Sequence, residues 1–418
     1  KYFLNAPELQ PMEFIKEVRK VTRAAEIPMI FDEIITGFRL HPKGAQGWYD
    51  VDVDIACYGK VIGGGMPIGV VAGKSLYMDA LDGGMWQYGD DSFPEAGVTY
   101  FAGTFVRHPL AIAGVNAVLT KLREGGPKLQ EELNRRCAVF CEEVNRHFHS
   151  MGIPVELTYF ASVLLPRFYG NPDFEGLFFH HLRHNGIHIW EGRPVFLTTA
   201  HGQEELQILI DAFVLSAKQM RDAGFFPEAE KDAVLESYPW TAPQSELWLA
   251  LQMGDEARAA YNEQVVFEID SAIDPLVLEL TFDKVVNRHS SLRSVVSGDE
   301  DGITVKTYMK PKFDFVNLRS SSPQEIEKEI NSILCEHIDA PFDYQSGPLV
   351  RLKLIRVSAS KSLICLCASH LICDGWSLEV VMQDLANYYT AMIQGRQINR
   401  GTPPGLHEFL AIENEKVE

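Results

Sequence analysis

Positive charge is in short supply in this 418-residue chain: 38 Lys and Arg stand against 57 Asp and Glu, for a formal net charge of -19. That balance excludes the clustered basic surface that nucleic acids and anionic membranes require, though not a local basic patch around one phosphate. Cysteine is sparse as well. Cys57, Cys137, Cys141, Cys335, Cys365, Cys367 and Cys373 are scattered, odd in number and without a CxxC pair, which argues against a disulfide framework. Cys137 and Cys141 share one helix face, and Cys365 and Cys367 one strand face, a pattern of buried packing. Free thiols imply a reducing cytoplasm. No apolar run approaches the roughly 20 residues that span a bilayer. Internal repeats, low-complexity tracts and a signal-peptide pattern are also lacking. The chain starts KYFLNAPELQP, without Met, and finishes in IENEKVE, and both ends read as cuts.

What is present is enough apolar sequence, 46% of residues, for well-filled cores. The length predicts two or three domains. Helical spacing over 11–26 leads into an apolar strand over 27–31, and further short strands are predicted over 53–58 and 68–73. Short apolar strands separated by helices indicate a mostly parallel sheet buried on both faces. Helices are predicted over 109–122 and 128–151, divided by Gly125-Gly126-Pro127. Strands over 162–168 and 195–199 with a helix over 203–220 make a smaller α+β unit. The segment DAGFFPEAEK breaks the helical period and reads as a linker. Beyond it, strands over 264–269, 349–357 and 362–367 and helices over 275–287 and 376–391 predict an α+β domain with longer, alternating strands. The boundaries that follow are 1–125, 126–225, a linker over 226–237, and 238–418.

Two constellations carry chemistry. Asp32 ends an apolar strand in FDEIITGFR, where ligands of open α/β sheets collect, and a carboxylate beside buried strand needs a partner. Lys60 follows the next strand in CYGKVIGGGMPIG, and a desolvated lysine there can serve as a neutral amine nucleophile. Taken alone, each residue more often plays a structural role: a cap or ion-pair partner for Asp32, a surface cation for Lys60. Gly63-Gly64-Gly65 looks like a phosphate cradle, but no Gly-Lys-Ser/Thr follows, which argues against a nucleotide P-loop. The second constellation is LCASHLICDGWSLEVV, where His370 ends a buried strand four residues before Asp374. A fixed imidazole near an acidic neighbour suits a general base, while a hydrogen-bonded core histidine is the bland alternative. A metal site is disfavoured, since no second ligand other than Cys373 stands nearby.

Taken together, FDEIITGFR, YGKVIGGGMPIGVVAG and FAGTFVRHPLA resemble three successive blocks of class III, fold-type I aminotransferases. They are closest in flavour to the glutamate-1-semialdehyde aminomutase-like domains of hybrid polyketide–nonribosomal peptide synthetases, such as those making the β-amino acids of microcystins and iturinic lipopeptides. The resemblance covers about residues 1–225. It implies pyridoxal 5'-phosphate as cofactor, Lys60 as its Schiff-base lysine, Asp32 against the pyridinium nitrogen and Ile34 against the ring face. It further implies that Thr104 serves the phosphate of a neighbouring subunit's cofactor, hence a homodimer. The region GIHIWEGRPVFLTTAHG lacks a clear carboxylate-binding arginine, which suits a substrate tethered as a thioester; Arg193 reads as a surface ion-pair residue.

SHLICDG resembles the HHxxxDG signature of condensation domains in nonribosomal peptide synthetases, supported upstream by TAPQSELWLALQ and NRHSSLRSVV. The resemblance runs from about residue 238 to the end. It implies the N-terminal lobe of a chloramphenicol-acetyltransferase-like fold, acyl and peptidyl carrier domains as partners, and phosphopantetheine carried on those partners. His370 takes the place of the second, active histidine. Ser369 replaces the first, a position usually regarded as structural. Asp374 is expected to fix the loop through Arg288 or Arg293, and Gly375 to permit a tight turn. The function implied is transamination of a carrier-bound β-keto acyl thioester followed by amide-bond formation. A free-standing ω-aminotransferase and a catalytically silent scaffold are the alternatives. The ring-stacking aromatic, the phosphate loop and the second condensation lobe have no counterpart in the sequence, so the 418 residues alone are expected to bind cofactor poorly and not to condense.

Overall fold

The computed structural model describes residues 11–94, 97, 103–169, 174–226, 234–318, 322–398, 401 and 403–405. In chain order the first elements are α1 (Met12–Ala24), β1 (Ile30–Asp32), α2 (Gly44–Tyr49), β2 (Ile55–Gly59), a 3-10 turn (Lys60–Gly63), β3 (Gly69–Gly73), α3 (Ser75–Asp82) and α4 (Pro109–Gly125). β1 pairs with β2 in parallel, with Asp32 opposite Cys57, but β2 pairs with β3 antiparallel. The sheet is therefore mixed, not mostly parallel. Nor is it buried on both faces. Met29, Leu40, Tyr49, Val53 and Ala56 form the core on one side, while Ile30 and Val71 remain 57% and 53% exposed.

Polar groups hold this layer together where apolar burial is thin. Asp54 accepts from the Arg19 guanidinium at 2.6 Å and 3.2 Å, from Lys74 Nζ at 2.8 Å and from the Met29 amide at 2.8 Å. The Arg19 side chain, then Lys74 and that amide, hold the Asp54 carboxyl well below the usual carboxylate range. Glu33, buried on the opposite side of the strand from Asp32, accepts from the amides of Ala45 at 2.9 Å and Gln46 at 3.1 Å and from the Thr36 hydroxyl. It thereby satisfies donors that the start of α2 leaves open.

Pro127 at the first position of α5 (Pro127–Ser150), after Gly126 at φ 58°, breaks the chain between α4 and α5. β4 (Val155–Phe160), β5 (Val163–Phe168), α6 (Gly176–His184), β6 (Val195–Phe196) and α7 (Gln203–Asp222) complete the smaller α+β unit. Cys137, Cys141, Val144 and Phe148 recur at helical spacing along α5, and all are fully buried. They pack on β4, Phe178 and Phe213, and the same core takes in Val277, Leu280 and Met392 from the second half of the chain.

Of the expected linker, residues 227–233 lie outside the described residues. Residues 234–237 are not a linker but part of β7 (Val234–Pro239). α8 (Ala242–Leu251), α9 (Asp255–Ala260), β8 (Asn262–Ile269), α10 (Pro275–Arg288), β9 (Ser294–Val296), β10 (Gly302–Lys306), β11 (Lys312–Asn317), α11 (Pro323–Asp339), β12 (Val350–Ser358), β13 (Lys361–Ser369) and α12 (Gly375–Ile393) follow. β7 pairs with β10 in a sheet ordered β7-β10-β9, and a second sheet runs β11-β12-β13-β8. Alternation was expected in these strands, but β13 is buried along almost its whole length. One face meets a core that includes Leu278, Phe282, Leu378 and Leu385 of α10 and α12, and the other meets Ile326, Ile330 and Leu334 of α11.

The two halves meet along α5. Arg135 pairs with Asp274 at 3.0 Å, Arg146 with Glu279 at 2.8 Å and Lys284 with Glu142 at 2.6 Å. Backbone joins them as well, since the Ala161 amide donates to the Gly395 carbonyl at 3.1 Å.

Candidate active sites

β1 and β2 end side by side, and this brings the first constellation together. Asp32, Ile34 and Lys60 all line one cavity of about 480 Å³, walled by apolar side chains that include Phe31, Leu40, Tyr49, Phe160 and Phe196. Gly59 is extended, and Lys60 then adopts φ 47°, a left-handed conformation uncommon for a residue with a Cβ. The chain thus turns sharply at the strand end and carries the amine into the cavity. Such strain persists only where surrounding structure enforces it. The glycines that follow do the enforcing. A Cβ on Gly114 of α4 would lie 2.8 Å from the Gly63 carbonyl oxygen, and one on Gly64 3.0 Å from Val118 Cγ2. Gly64 and Gly114 therefore let the turn pack closely against α4, whereas at Gly65, where a Cβ would meet nothing within 4 Å, the backbone at φ 91° is what favours glycine.

Asp32 Oδ1 accepts from the Ile34 amide at 3.0 Å, so Ile34 is held by backbone geometry beside the carboxylate. Among the described residues, Oδ2 of Asp32 and Nζ of Lys60 take part in no hydrogen bond or ion pair. Both residues are exposed, contrary to the desolvation expected for Lys60, because the sheet is covered on one face only and its strand ends open to solvent. A carboxylate oxygen and an amine reaching one apolar-walled cavity fit a flat aromatic group with a ring N–H and an aldehyde. Pyridoxal phosphate fits these residues on that ground. Thr104 lies exposed in the turn before α4 and does not line the cavity; Phe101 and Ala102 of its motif lie outside the described residues. Among the described residues Arg193 has no ion-pair partner; its guanidinium stacks on Trp190 at 4.9 Å.

The second constellation sits where β13 leaves the sheet. His370 Nδ1 lies 2.9 Å from the Cys373 carbonyl oxygen and 3.2 Å from Glu263 Oε1. A carbonyl only accepts, so Nδ1 carries the hydrogen, and in the neutral ring Nε2 keeps its lone pair. The His370 amide is fixed by the Tyr261 carbonyl at 2.9 Å. Gln244, in the TAPQ motif, donates to the Leu371 carbonyl at 3.1 Å while forming a capping box with Thr241. This explains why that motif belongs with the histidine loop. Ser369 is buried, with its hydroxyl donating to the Tyr344 hydroxyl at 3.3 Å and accepting from the Leu371 amide at 3.3 Å.

Three expectations around this loop are corrected. Asp374 pairs with neither Arg288 nor Arg293. Its Oδ1 caps α12 by accepting from the Ser377 hydroxyl at 2.6 Å and amide at 2.8 Å, and the Ser377 side chain leads in holding its carboxyl below the usual range. Arg288 pairs with Asp384 at 3.1 Å, which also takes His289 at 2.9 Å, so this motif ties α10 to α12. Arg293 donates to backbone carbonyls, that of Thr307 at 3.1 Å and that of Lys306. Gly375 is no tight turn either: it begins α12 without a positive φ, and a Cβ there would meet only Glu263, at 3.9 Å. Glu263 and Glu33 were not singled out in the sequence. The pairing of Glu263 with His370 depends on register, with Ala368 opposite Glu263 across β13 and β8.

Known proteins agree with this division. Residues 8–153 match the family model "Aminotransferase class-III" and residues 234–415 the model "Condensation domain". Glutamate-1-semialdehyde 2,1-aminomutase of Desulfotalea psychrophila is 33% identical over 208 residues, 46% of this chain and 45% of its own. The enzyme of the same name from Pyrobaculum calidifontis is 40% identical over 162 residues, 39% of this chain and 33% of its own. The chain thus spans about half the length, or less, of these relatives. Among solved structures, an omega-transaminase from Sphaerobacter thermophilus is 26% identical with a TM-score of 0.42, covering 50% of this chain and 48% of its own. The starter condensation domain of rhizomide synthetase RzmA is 20% identical with a TM-score of 0.40, covering 43% and 44%. The two family models thus match separate stretches of one chain, class-III aminotransferase over residues 8–153 and condensation domain over residues 234–415.

Proposed function

We propose that the chain acts in two consecutive steps, pyridoxal-phosphate-dependent transamination of a carrier-bound β-keto acyl thioester to the β-amino acyl thioester, then amide-bond formation. The convergence of Asp32, Ile34 and Lys60 on one cavity carries this reading, in a chain that also holds His370 in a defined tautomer. Pyridoxal phosphate, when bound, supplies the electron sink that the amino transfer requires. Asp32 would hold the ring nitrogen in its protonated form, Ile34 would pack against the ring, and Lys60 Nζ would take and return the proton at the reacting substrate carbon. Thr104 of a second subunit would contribute to holding the phosphate, which would make the working unit a homodimer. In the second step His370 Nε2 takes the proton of the acceptor amine as its nitrogen attacks the thioester carbonyl. The C–S bond breaks and the sulfur departs as the carrier's phosphopantetheine thiol.

In the intact protein that contains this chain, addition of pyridoxal phosphate should produce visible absorbance that Lys60→Ala abolishes; equal spectra would refute the first step. The names of the curated relatives favour a second reading, in which the aminotransferase half acts on a small diffusible substrate. Faster turnover of a free keto acid than of the same acid on a carrier would favour that alternative.

A further inference from the structure

We propose that Glu263 is the positioning residue of the condensation site: with the Cys373 carbonyl, its carboxylate holds the hydrogen of His370 on Nδ1 and leaves Nε2 bare to accept a proton. The inference rests on the reading of His370 as the base, and it names the group that prepares that base.

The loop's own acid is committed elsewhere. Asp374 spends Oδ1 on the first turn of α12, through both the hydroxyl and the amide of Ser377. The carboxylate that reaches the ring comes from the neighbouring strand instead. β8 runs antiparallel to β13 with Ala368 opposite Glu263 and Ser369 opposite Asn262, so the strand pairing delivers Glu263 beside the point where His370 leaves the sheet. Oε1 then lies 3.2 Å from Nδ1, and the Cys373 carbonyl oxygen 2.9 Å from the same atom. The Cys373 carbonyl takes the hydrogen bond, and the Glu263 carboxylate stands beside the same nitrogen as a charge that favours the hydrogen there.

The register of a sheet has a property that a loop contact lacks. The backbone of Glu263 cannot shift without unzipping β8 from β13, so the carboxylate beside the ring starts from a position fixed by the sheet. A base whose lone pair must meet an incoming amine gains from that fixed position, because small misplacements of catalytic groups are costly. In the proposed step Nε2 takes one proton as the C–N bond forms and the C–S bond breaks. A ring protonated on Nε2 in its neutral form could not do so.

The test is the imidazole tautomer, read by long-range 1H–15N correlation in the full chain labelled with 15N-histidine and assigned by the loss of signals in His370→Asn. In the wild type, His370 shows a protonated Nδ1 and a bare Nε2. Glu263→Ala should lower the ratio of the Nδ1–H to the Nε2–H tautomer up to about fivefold, the effect of removing one close, partly exposed carboxylate charge. Glu263→Asp, which keeps the carboxylate, should restore most of the ratio, and this rescue separates the charge from general disturbance of the strand. An unchanged ratio in a folded Glu263→Ala chain overturns the proposal, as does a wild type with the hydrogen on Nε2. Failure of the base reading looks different: in the intact protein that contains this chain, His370→Ala would keep condensing carrier-bound substrates, while the tautomer shift of Glu263→Ala remained.

Discussion

The layer that presents Lys60 and the sheet that presents His370 are built on opposite terms. β1, β2 and β3 cover one face only and leave Phe14 at 71% and Ile30 at 57% exposed, with order supplied by buried carboxylates, Asp54 and Glu33. β12 and β13 lie between helices on both sides, and Leu352, Leu354, Cys365 and Leu366 are fully buried. The difference teaches that the lysine site depends on a few directional polar contacts, whereas the histidine site rests on area removed from water. Polar contacts fail one at a time; a shared apolar core fails cooperatively.

Mutations can break or sharpen this contrast. The largest effect should come from Phe148→Ala, which opens a cavity in the core common to both halves and costs about 3 to 5 kcal/mol. Denaturant unfolding followed by probes in each half should show both midpoints falling together. Independent midpoints would show that the halves do not share a core. Asp54→Asn leaves the buried Arg19 guanidinium without its charge partner, a loss of about 3 kcal/mol confined to the first layer. Hydrogen exchange should rise in β1, β2 and β3 and stay unchanged in β12 and β13.

Acidity offers a third test at the seam. Burial pushes the Asp283 carboxyl up from 3.8 to about 6, although Tyr308 donates to it at 2.8 Å. Between those values the folded chain binds more protons than the unfolded one, so stability falls as pH rises from about 4 to 6, by about 2 kcal/mol. Asp283→Asn should flatten the curve in that window, and a slope that survives the substitution removes Asp283 as its source. The smallest effect belongs to Arg146→Ala. Its pair with Glu279 is 21% and 37% exposed, and such pairs contribute under about 1 kcal/mol. Thermal melts at low and high salt should differ less in the variant than in the wild type.

Much of the site was legible before any fold was known. Asp32 and Lys60 each follow a short apolar strand, and neighbouring strands of one sheet end at one edge, so their meeting in a cavity follows from local pattern. His370 was legible for the same reason. The exposure of Lys60 was not, because it depends on how many layers cover the sheet. The partners of Asp374, Arg288 and Arg293 also escaped. A carboxylate one residue before a helix has an N-cap available three residues on, and that local choice won over a distant arginine.

By itself, the order of apolar, glycine and charged residues determined where the strands and helices lie, which side chains stand at strand ends, and that two unlike regions share the chain. Only the tertiary structure decided that α5 binds those regions through one core, that Glu33 and Asp54 are the polar anchors of the first, and that Glu263 faces His370. The reason is physical: periodicity is a property of neighbours along the chain, whereas each of those contacts pairs residues distant in sequence through register and packing.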